Sequence, residues 1–360
     1  MCLTNNEKYL GLLRKLHNAF PLWDELNGKT IFISGATGMI GSFLVDAIML
    51  RNEDLPERMR SKIIAVSRKR PEAESRFARW TPYREFQFLE HDISNPFPGL
   101  DIHPDYLIHG ASNSHPIAFS SDPVNTILAN VLGACNMLEI AARHAGSRFL
   151  FLSSGEVYGE NRGDAEYFDE NYCGYLNSNT LRAGYPEGKR VGEAMCQAFI
   201  QQYRTDAVII RLPRSYGPAM RMSDSKASAQ FIKNGLAKKD IVLKSEGNQY
   251  FSYAHVSDVV QGALWVLLRG KTGEAYNLGD PQSDIRLKDL AGIVAEYSQT
   301  KVVFELPDER ERKGYSTATT ALLNGEKLKK LGWNPQYTIK EGICETIDIL
   351  RDISDTRGVD

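Results

Sequence analysis

Five cysteines in 360 residues (Cys2, Cys135, Cys173, Cys196, Cys344) form no C-x-x-C pair and no cluster with histidine, which argues against a disulfide framework or a zinc site. They read as reduced thiols of a cytosolic protein. Charge of one sign is also missing: the net charge is −2, so no basic field suggests a nucleic-acid partner. Glycines and charges break every apolar run short of a membrane span, and the N-terminal stretch lacks the regions of a signal peptide. No repeat or low-complexity linker divides the chain. Of the seven histidines, His109 and His255 are the candidates, neither has a second ligand at metal spacing, and structural roles without a metal are expected. What remains is a soluble composition, 42% hydrophobic and 24% charged, long enough for one large or two modest domains.

The most informative stretch is Thr30 to Ser42. A short apolar run, Ile31–Ile33, enters glycines at 35, 38 and 41, and an apolar helical pattern follows in Phe43, Leu44, Ala47 and Ile48. That is strand, tight turn and helix. Gly35 permits the turn, Gly38 allows a pyrophosphate close to the backbone, and Gly41 lets the helix pack on the strand. The first helical N–H groups then face the anion.

Before this stretch, Leu10, Leu13, Leu16 and Phe20 predict an amphipathic helix within residues 1–28, packed on the domain or on a partner. After it, apolar strands are expected at Ile63–Val66, Phe86–Leu89, Tyr106–Ile108, Phe149–Leu152 and Val208–Leu212. Helical patterns lie between most of them, notably Val124–His144 and Glu187–Tyr203. Such alternation predicts an α/β fold, a doubly wound parallel sheet over residues 29–213. From residue 214 to 360 a smaller α/β lobe is expected, with strands at Ile241–Leu243, Tyr250–His255 and Ala275–Leu278 and helices near 257–269, 287–298 and 339–351. Some of these later elements are expected to pack back on the first domain.

Chemistry concentrates in two places. The strand Phe149–Leu152 runs into Ser153-Ser154-Gly155-Glu156, and Tyr185-Pro186-Glu187-Gly188-Lys189 opens a helix. Tyr185 and Lys189 are four apart and share one helix face, with Pro186 suited to the first turn. A phenol titrates near 10 and is a poor base at neutral pH. A neighbouring ammonium and a nicotinamide cation would favour the phenolate, so that Tyr185 takes a hydroxyl proton while hydride leaves the same carbon. Ser154 would fix the same oxygen. The acidic, Asn-rich segment from Glu160 to Gly184 reads as a loop over the cleft, a candidate lid.

With His109-Gly110-Ala111-Ser112, Asn130-x-x-Gly133, Tyr216-Gly217-Pro218, His255-Val-Ser-Asp-Val259 and Leu331-Gly332-Trp333 added, residues 29–350 resemble the extended short-chain dehydrogenases/reductases. These are the nucleotide-sugar epimerases, dehydratases and decarboxylases. Tyr185 to Glu193 and Gly217 to Asp224 most resemble UDP-glucuronate decarboxylases. The resemblance implies a Rossmann-type domain holding NAD through Gly35, Thr37, Gly38, Met39, Ile40, Gly41, Asp92, Ile93, Ala111, Ser112, Asn130, Ser153, Tyr185, Lys189 and Pro213. It implies transient oxidation at carbon 4 of a nucleotide sugar by Tyr185, Lys189 and Ser154, with Glu156 as a further acid–base group, and a homodimer formed by the helices at 124–144 and 187–203.

The departures matter as much. The second strand ends in Val66-Ser67-Arg68, with no acid for the adenosine ribose, so NADP stays an alternative through Arg68. Asp92 equally reads as the cap of the next turn. Gly155 stands where 4,6-dehydratases carry an aspartic acid, although Glu156 keeps chemistry at carbon 5 open. The decarboxylases have an asparagine where Arg214 stands, and an arginine where this chain has Tyr250 or Phe251. Arg214, Arg221 or Lys226 would then contact the substrate, and Arg310 or Arg312 would hold its diphosphate. A 4,6-dehydratase, an epimerase and a non-catalytic dinucleotide-binding scaffold remain the rival readings.

Overall fold

The computed structural model describes residues 3–114, 121–305 and 319–355. At its centre is a sheet of seven strands: β1 (Thr30–Ser34), β2 (Lys62–Ser67), β3 (Phe86–Glu90), β4 (Tyr106–His109), β5 (Arg148–Ser154), β6 (Asp206–Leu212) and, from much later in the chain, β10 (Ala275–Asn277). Their order is β10-β6-β5-β4-β1-β2-β3, and every pairing is parallel. The chain reverses its direction of winding between β1 and β4, the place where such sheets leave a crevice at their carboxyl ends.

Side-chain alternation builds the two faces. Ile31 and Ile33 point to a core shared with α1 (Glu7–Ala19), α2 (Met39–Glu53) and α7 (Val256–Arg269). Phe32, between them, points to the opposite core, beneath α4 (Pro123–Arg143) and α5 (Gly184–Tyr203), with Phe149 and Phe151 of β5. Short α3 (Arg70–Arg76) leads into β3. Among the described residues, α4 is by length and composition the one helix able to cross a membrane, which the run lengths did not anticipate; half of its most apolar stretch is buried in this fold.

The N-terminal helix packs on the domain. Asn6 caps it by accepting from the Tyr9 N–H, and Tyr9, Leu10, Leu12, Leu13 and Leu16 are buried. The Tyr9 hydroxyl donates to buried Asp46 of α2 at 2.6 Å, and Trp80 Nε1 donates to the same carboxylate at 2.7 Å. Arg76 neutralises that carboxylate.

The second lobe has its own core around α6 (Ala227–Leu236), α8 (Leu287–Ser298) and α9 (Ile339–Asp355). Its strands are β7 (Arg214–Tyr216), β9 (Tyr250–His255), β11 (Asp284–Arg286) and β13 (Thr320–Ala321), with β9 at the centre, and a separate parallel pair of β8 (Ile241–Leu243) and β12 (Val302–Phe304). Two of the later elements do pack back on the first domain: β10 is the sheet's edge, and α7 lies across β5 and β6. The expected lid is anchored. Phe168 is fully buried against Tyr158 and Leu323, its N–H donates to the Leu322 carbonyl at 2.8 Å, and Arg211 donates to the Glu170 carbonyl at 2.8 Å.

Helix α5 lies close on β5 because residue 192 has no side chain; a Cβ there would collide with the Phe151 ring. Replacing an interior helix glycine by alanine ordinarily stabilises by about 1 kcal/mol. Here overpacking should win, and Gly192→Ala should lower the unfolding free energy by roughly 1–3 kcal/mol. Urea unfolding checks the sign; a variant as stable as the parent would show that the helix is free to move.

Candidate active site

The glycine loop fills the crevice between β1 and β4. Gly35 has φ of +69°, and a Cβ there would stand 2.7 Å from the backbone of Gly110 and Ala111. At Gly41 a Cβ would meet the Gly35 carbonyl oxygen at 2.5 Å, so the start of α2 is pressed onto the turn. Gly38 is the N-cap, no side chain caps the helix, and the Met39, Ile40 and Gly41 backbone is partly exposed. This is a cradle for an anion at a helix N-terminus, and it fits the pyrophosphate of a dinucleotide. Around it, the Ser34 hydroxyl bonds His109 Nδ1 at 2.7 Å and accepts from the Ala111 N–H at 3.3 Å. Burial first, and then the Lys189 charge, lower the His109 pKa to about 3, so this histidine is a neutral structural group. Asn130, fully buried on α4, donates to Ser112 Oγ at 3.0 Å and to the Thr126 carbonyl at 2.7 Å.

At the end of β2, the Ser67 hydroxyl bonds that of Thr37 at 2.9 Å, and Arg68 is exposed. The Asp92 carboxylate accepts from the Ser94 N–H at 3.0 Å and hydroxyl at 2.6 Å, the turn-capping role. Ile93 is buried beneath Gly133.

The catalytic candidates converge. The Ser154 hydroxyl lies close enough to Tyr185 to favour its phenolate, and its oxygen accepts from the Glu156 N–H at 3.2 Å. Lys189 is buried and donates to the Leu152 carbonyl at 2.7 Å, with its ammonium 4.8 Å from the centre of the Phe151 ring and 5.9 Å from that of Tyr185. Burial pulls its pKa down to about 7, against the upward pull of Glu193. The phenol moves opposite to expectation. Burial and then the Glu156 carboxylate push Tyr185 up to about 12, outweighing the Ser154 hydrogen bond and the Arg182 charge. The protein's own groups therefore keep the phenol protonated. Ser153 is turned away from this group and donates to Glu193 at 2.6 Å, where Arg211 also binds.

Beside the tyrosine lies a charged cluster in which the sequence pattern singles out Glu156 and Arg214 but not Arg182. Arg182, in the turn before α5, holds both Glu156 oxygens, at 2.6 and 2.8 Å. Arg214 begins β7 just after Pro213 and sits over Phe251, with the guanidinium carbon 3.3 Å from the ring centre. Parallel pairing sets Arg214 opposite Tyr253. At Gly155 a Cβ would stand 3.2 Å from both Leu323 methyls, so an acidic side chain has apolar surroundings there. Arg221 reaches across to the glycine loop and donates to Thr37 Oγ1 at 2.9 Å, and it lies 3.4 Å from Glu72. Lys226 is 3.6 Å from Asp224. Arg310 and Arg312 lie outside the described residues. Among the described residues no cluster of His, Cys, Asp and Glu could hold a metal.

Comparison with known proteins agrees with this geometry. The model of the NAD dependent epimerase/dehydratase family matches residues 31–279. UDP-glucuronic acid decarboxylase 1 of Xenopus tropicalis is 30% identical over 354 residues, 96% of this chain and 78% of that protein. UDP-glucuronic acid decarboxylase 5 of Arabidopsis thaliana is 32% identical over 318 residues, 87% of this chain and 86% of that protein. A dTDP-glucose 4,6-dehydratase from Bacillus anthracis in complex with NAD superposes with a TM-score of 0.74 at 20% identity, over 91% of this chain and 98% of that one. A UDP-glucuronic acid 4-epimerase from Bacillus cereus, in complex with UDP-glucuronic acid and NAD, also gives 0.74 at 20% identity, over 90% and 99%. At that identity the two structures share the fold.

The buried lysine has a measurable consequence. Between pH 7 and its ordinary value of 10.5 the unfolded chain binds a proton at Lys189 that the folded chain does not, so stability rises with pH across that window. Lys189→Met should therefore be the more stable protein below pH 7, by on the order of a few kcal/mol, with the advantage fading towards pH 10. Urea midpoints at pH 6.5 and 9.5 check this; an advantage that grows with pH would contradict it.

Proposed function

The chain belongs to the NAD dependent epimerase/dehydratase family, and we propose that it is a nucleotide-sugar enzyme that oxidises carbon 4 transiently and releases carbon dioxide from UDP-glucuronate. The observation that carries this reading is the convergence of Ser154, Tyr185 and Lys189 beside a carboxylate, Glu156, that Arg182 holds and whose charge acts on Tyr185 and Arg214. NAD, when bound, accepts a hydride from the sugar and later returns one. Everything else falls to the protein. Ser154 fixes the Tyr185 oxygen, and that oxygen takes the proton of the carbon 4 hydroxyl. The glycine loop holds the pyrophosphate, and Arg182 holds Glu156 in position through both of its oxygens. A 4-keto group then lets the carboxylate on carbon 5 depart.

The phenol at about 12 sharpens this assignment. Burial and Glu156 raise it, and the positive charge that a bound nicotinamide would bring favours the phenolate against them. Proton removal would then depend on occupancy of the dinucleotide site. A 4,6-dehydratase is the second reading, favoured by Glu156 as a base at carbon 5. It is weakened by Gly155, which offers no second acid and sits under Leu323.

The proposal extends to assembly and location. Val124, Ile127 and Leu132 on α4 and Val191 on α5 are exposed, between 41% and 64%, and support a homodimer through these two helices. Scattered free cysteines, none paired among the described residues, support a reducing, cytoplasmic compartment.

Incubation with NAD and a panel of UDP-, dTDP-, GDP- and CDP-sugars, followed by mass spectrometry, is the test. Loss of carbon dioxide from UDP-glucuronate is expected; loss of water or an isobaric product would replace the proposal by its rival. Tyr185→Phe should cut turnover by roughly a thousandfold while dinucleotide binding persists. Glu156→Gln should slow the same product, and unchanged formation would remove Glu156 from the chemistry.

A further inference from the structure

Most of the cations described around the sugar end of the cleft already have partners. Arg182 is committed to Glu156 through both oxygens. Arg221 is held by Thr37 and Glu72, and Lys226 lies beside Asp224. Arg211 is paired with Glu193, and Arg190 donates to the carbonyls of Val157 and Gly174. Lys189 is fixed on the Leu152 carbonyl. Arg214 differs: among the described residues, no carboxylate pairs with its guanidinium and no side-chain hydrogen bond holds it.

What holds Arg214 is an aromatic face. Because β7 runs parallel to β9 with residue 214 opposite residue 253, the side chain two positions earlier, Phe251, projects on the same face. The guanidinium lies on that ring at 3.3 Å. Stacking fixes the plane of the group while leaving its edge N–H donors pointing along that plane, the geometry suited to a carboxylate. Burial works against the charge, the Tyr253 phenol and then the Glu156 carboxylate favour it, and Arg182 opposes it. Glu156 accepts from Arg182 at both oxygens and makes no hydrogen bond to Arg214, on which its charge acts only at longer range. A half-buried cation without an ion-pair partner is unfavourable, and an arriving anion offsets that.

We infer that Arg214 is the specificity-determining residue of the sugar subsite, and that its stacked guanidinium receives the carboxylate on carbon 5 of the reacting sugar. This deepens the proposal above and rests on its placing of the sugar beside Tyr185. The position favours the sugar's own acid over the diphosphate: Glu156, whose charge acts on both Arg214 and Tyr185, stands at the reacting end of the cleft. A neutral hexose would leave the cation uncompensated, so the subsite selects a uronate before any chemistry begins.

Calorimetry on the NAD-loaded enzyme with UDP-glucuronate, UDP-glucose and UDP tests this. The parent should bind UDP-glucuronate roughly tenfold or more tighter than UDP-glucose. Arg214→Gln should bring that ratio near one with UDP affinity unchanged, and Arg214→Lys should keep part of it. A ratio unaffected by Arg214→Gln overturns the inference, as does a parent without preference, or a parallel loss of UDP binding in both variants. Failure of the functional proposal reads differently: the preference would stand and respond to Arg214, while no carbon dioxide is released.

Discussion

A single buried ammonium governs this architecture. Lys189 sits in the interior with one strong partner, the Leu152 carbonyl, and an aromatic ring beneath it. Such a charge is tolerable only if helix α5 is held rigidly against the end of β5, and the contact of Gly192 with Phe151 provides that closeness. The same contact brings Tyr185, one turn earlier, onto Ser154. Behind the lysine, Glu193 supplies the compensating negative charge, itself tied to Arg211 and Ser153. Stability is given up at this spot so that a proton-handling group can be held in a dry place.

On the open side of the tyrosine the electrostatics are asymmetric. Glu156 and Arg182 form a closed pair, whereas Arg214 is presented on a ring without an anion of its own among the described residues. The phenol is raised by burial and by Glu156. On the proposed reading, such a cleft would resist ionising its own base until the cofactor is bound and would attract a negative substrate. Buried Phe168 fastens the segment from Glu160 to Gly184 to the body.

How much of this was legible beforehand varies with the range of the interaction. The glycine turn, the strand-helix alternation and the Tyr185–Lys189 spacing are all local patterns. So is the helix at the N-terminus, whose leucines recur at helical intervals. Arg182 escaped notice because its partner lies 26 residues away and no spacing rule connects a turn to a strand end. The place of β10 at the edge of the first sheet was equally hidden, since a three-residue strand says nothing of which neighbour it will pair with. The expected influence of Lys189 on the phenol failed for a related reason: sharing a helix face does not decide which oxygen an ammonium chooses.

By itself, then, the sequence determined the elements, the dinucleotide turn and the identity of the proton-handling residues, because backbone preferences and helical periodicity act over a few residues. Only the tertiary structure decided the charge state of those residues and the choice among the arginines. Desolvation and pairing depend on what the chain brings from far away: Phe251 beneath Arg214, Leu323 over Gly155, and Arg182 onto Glu156.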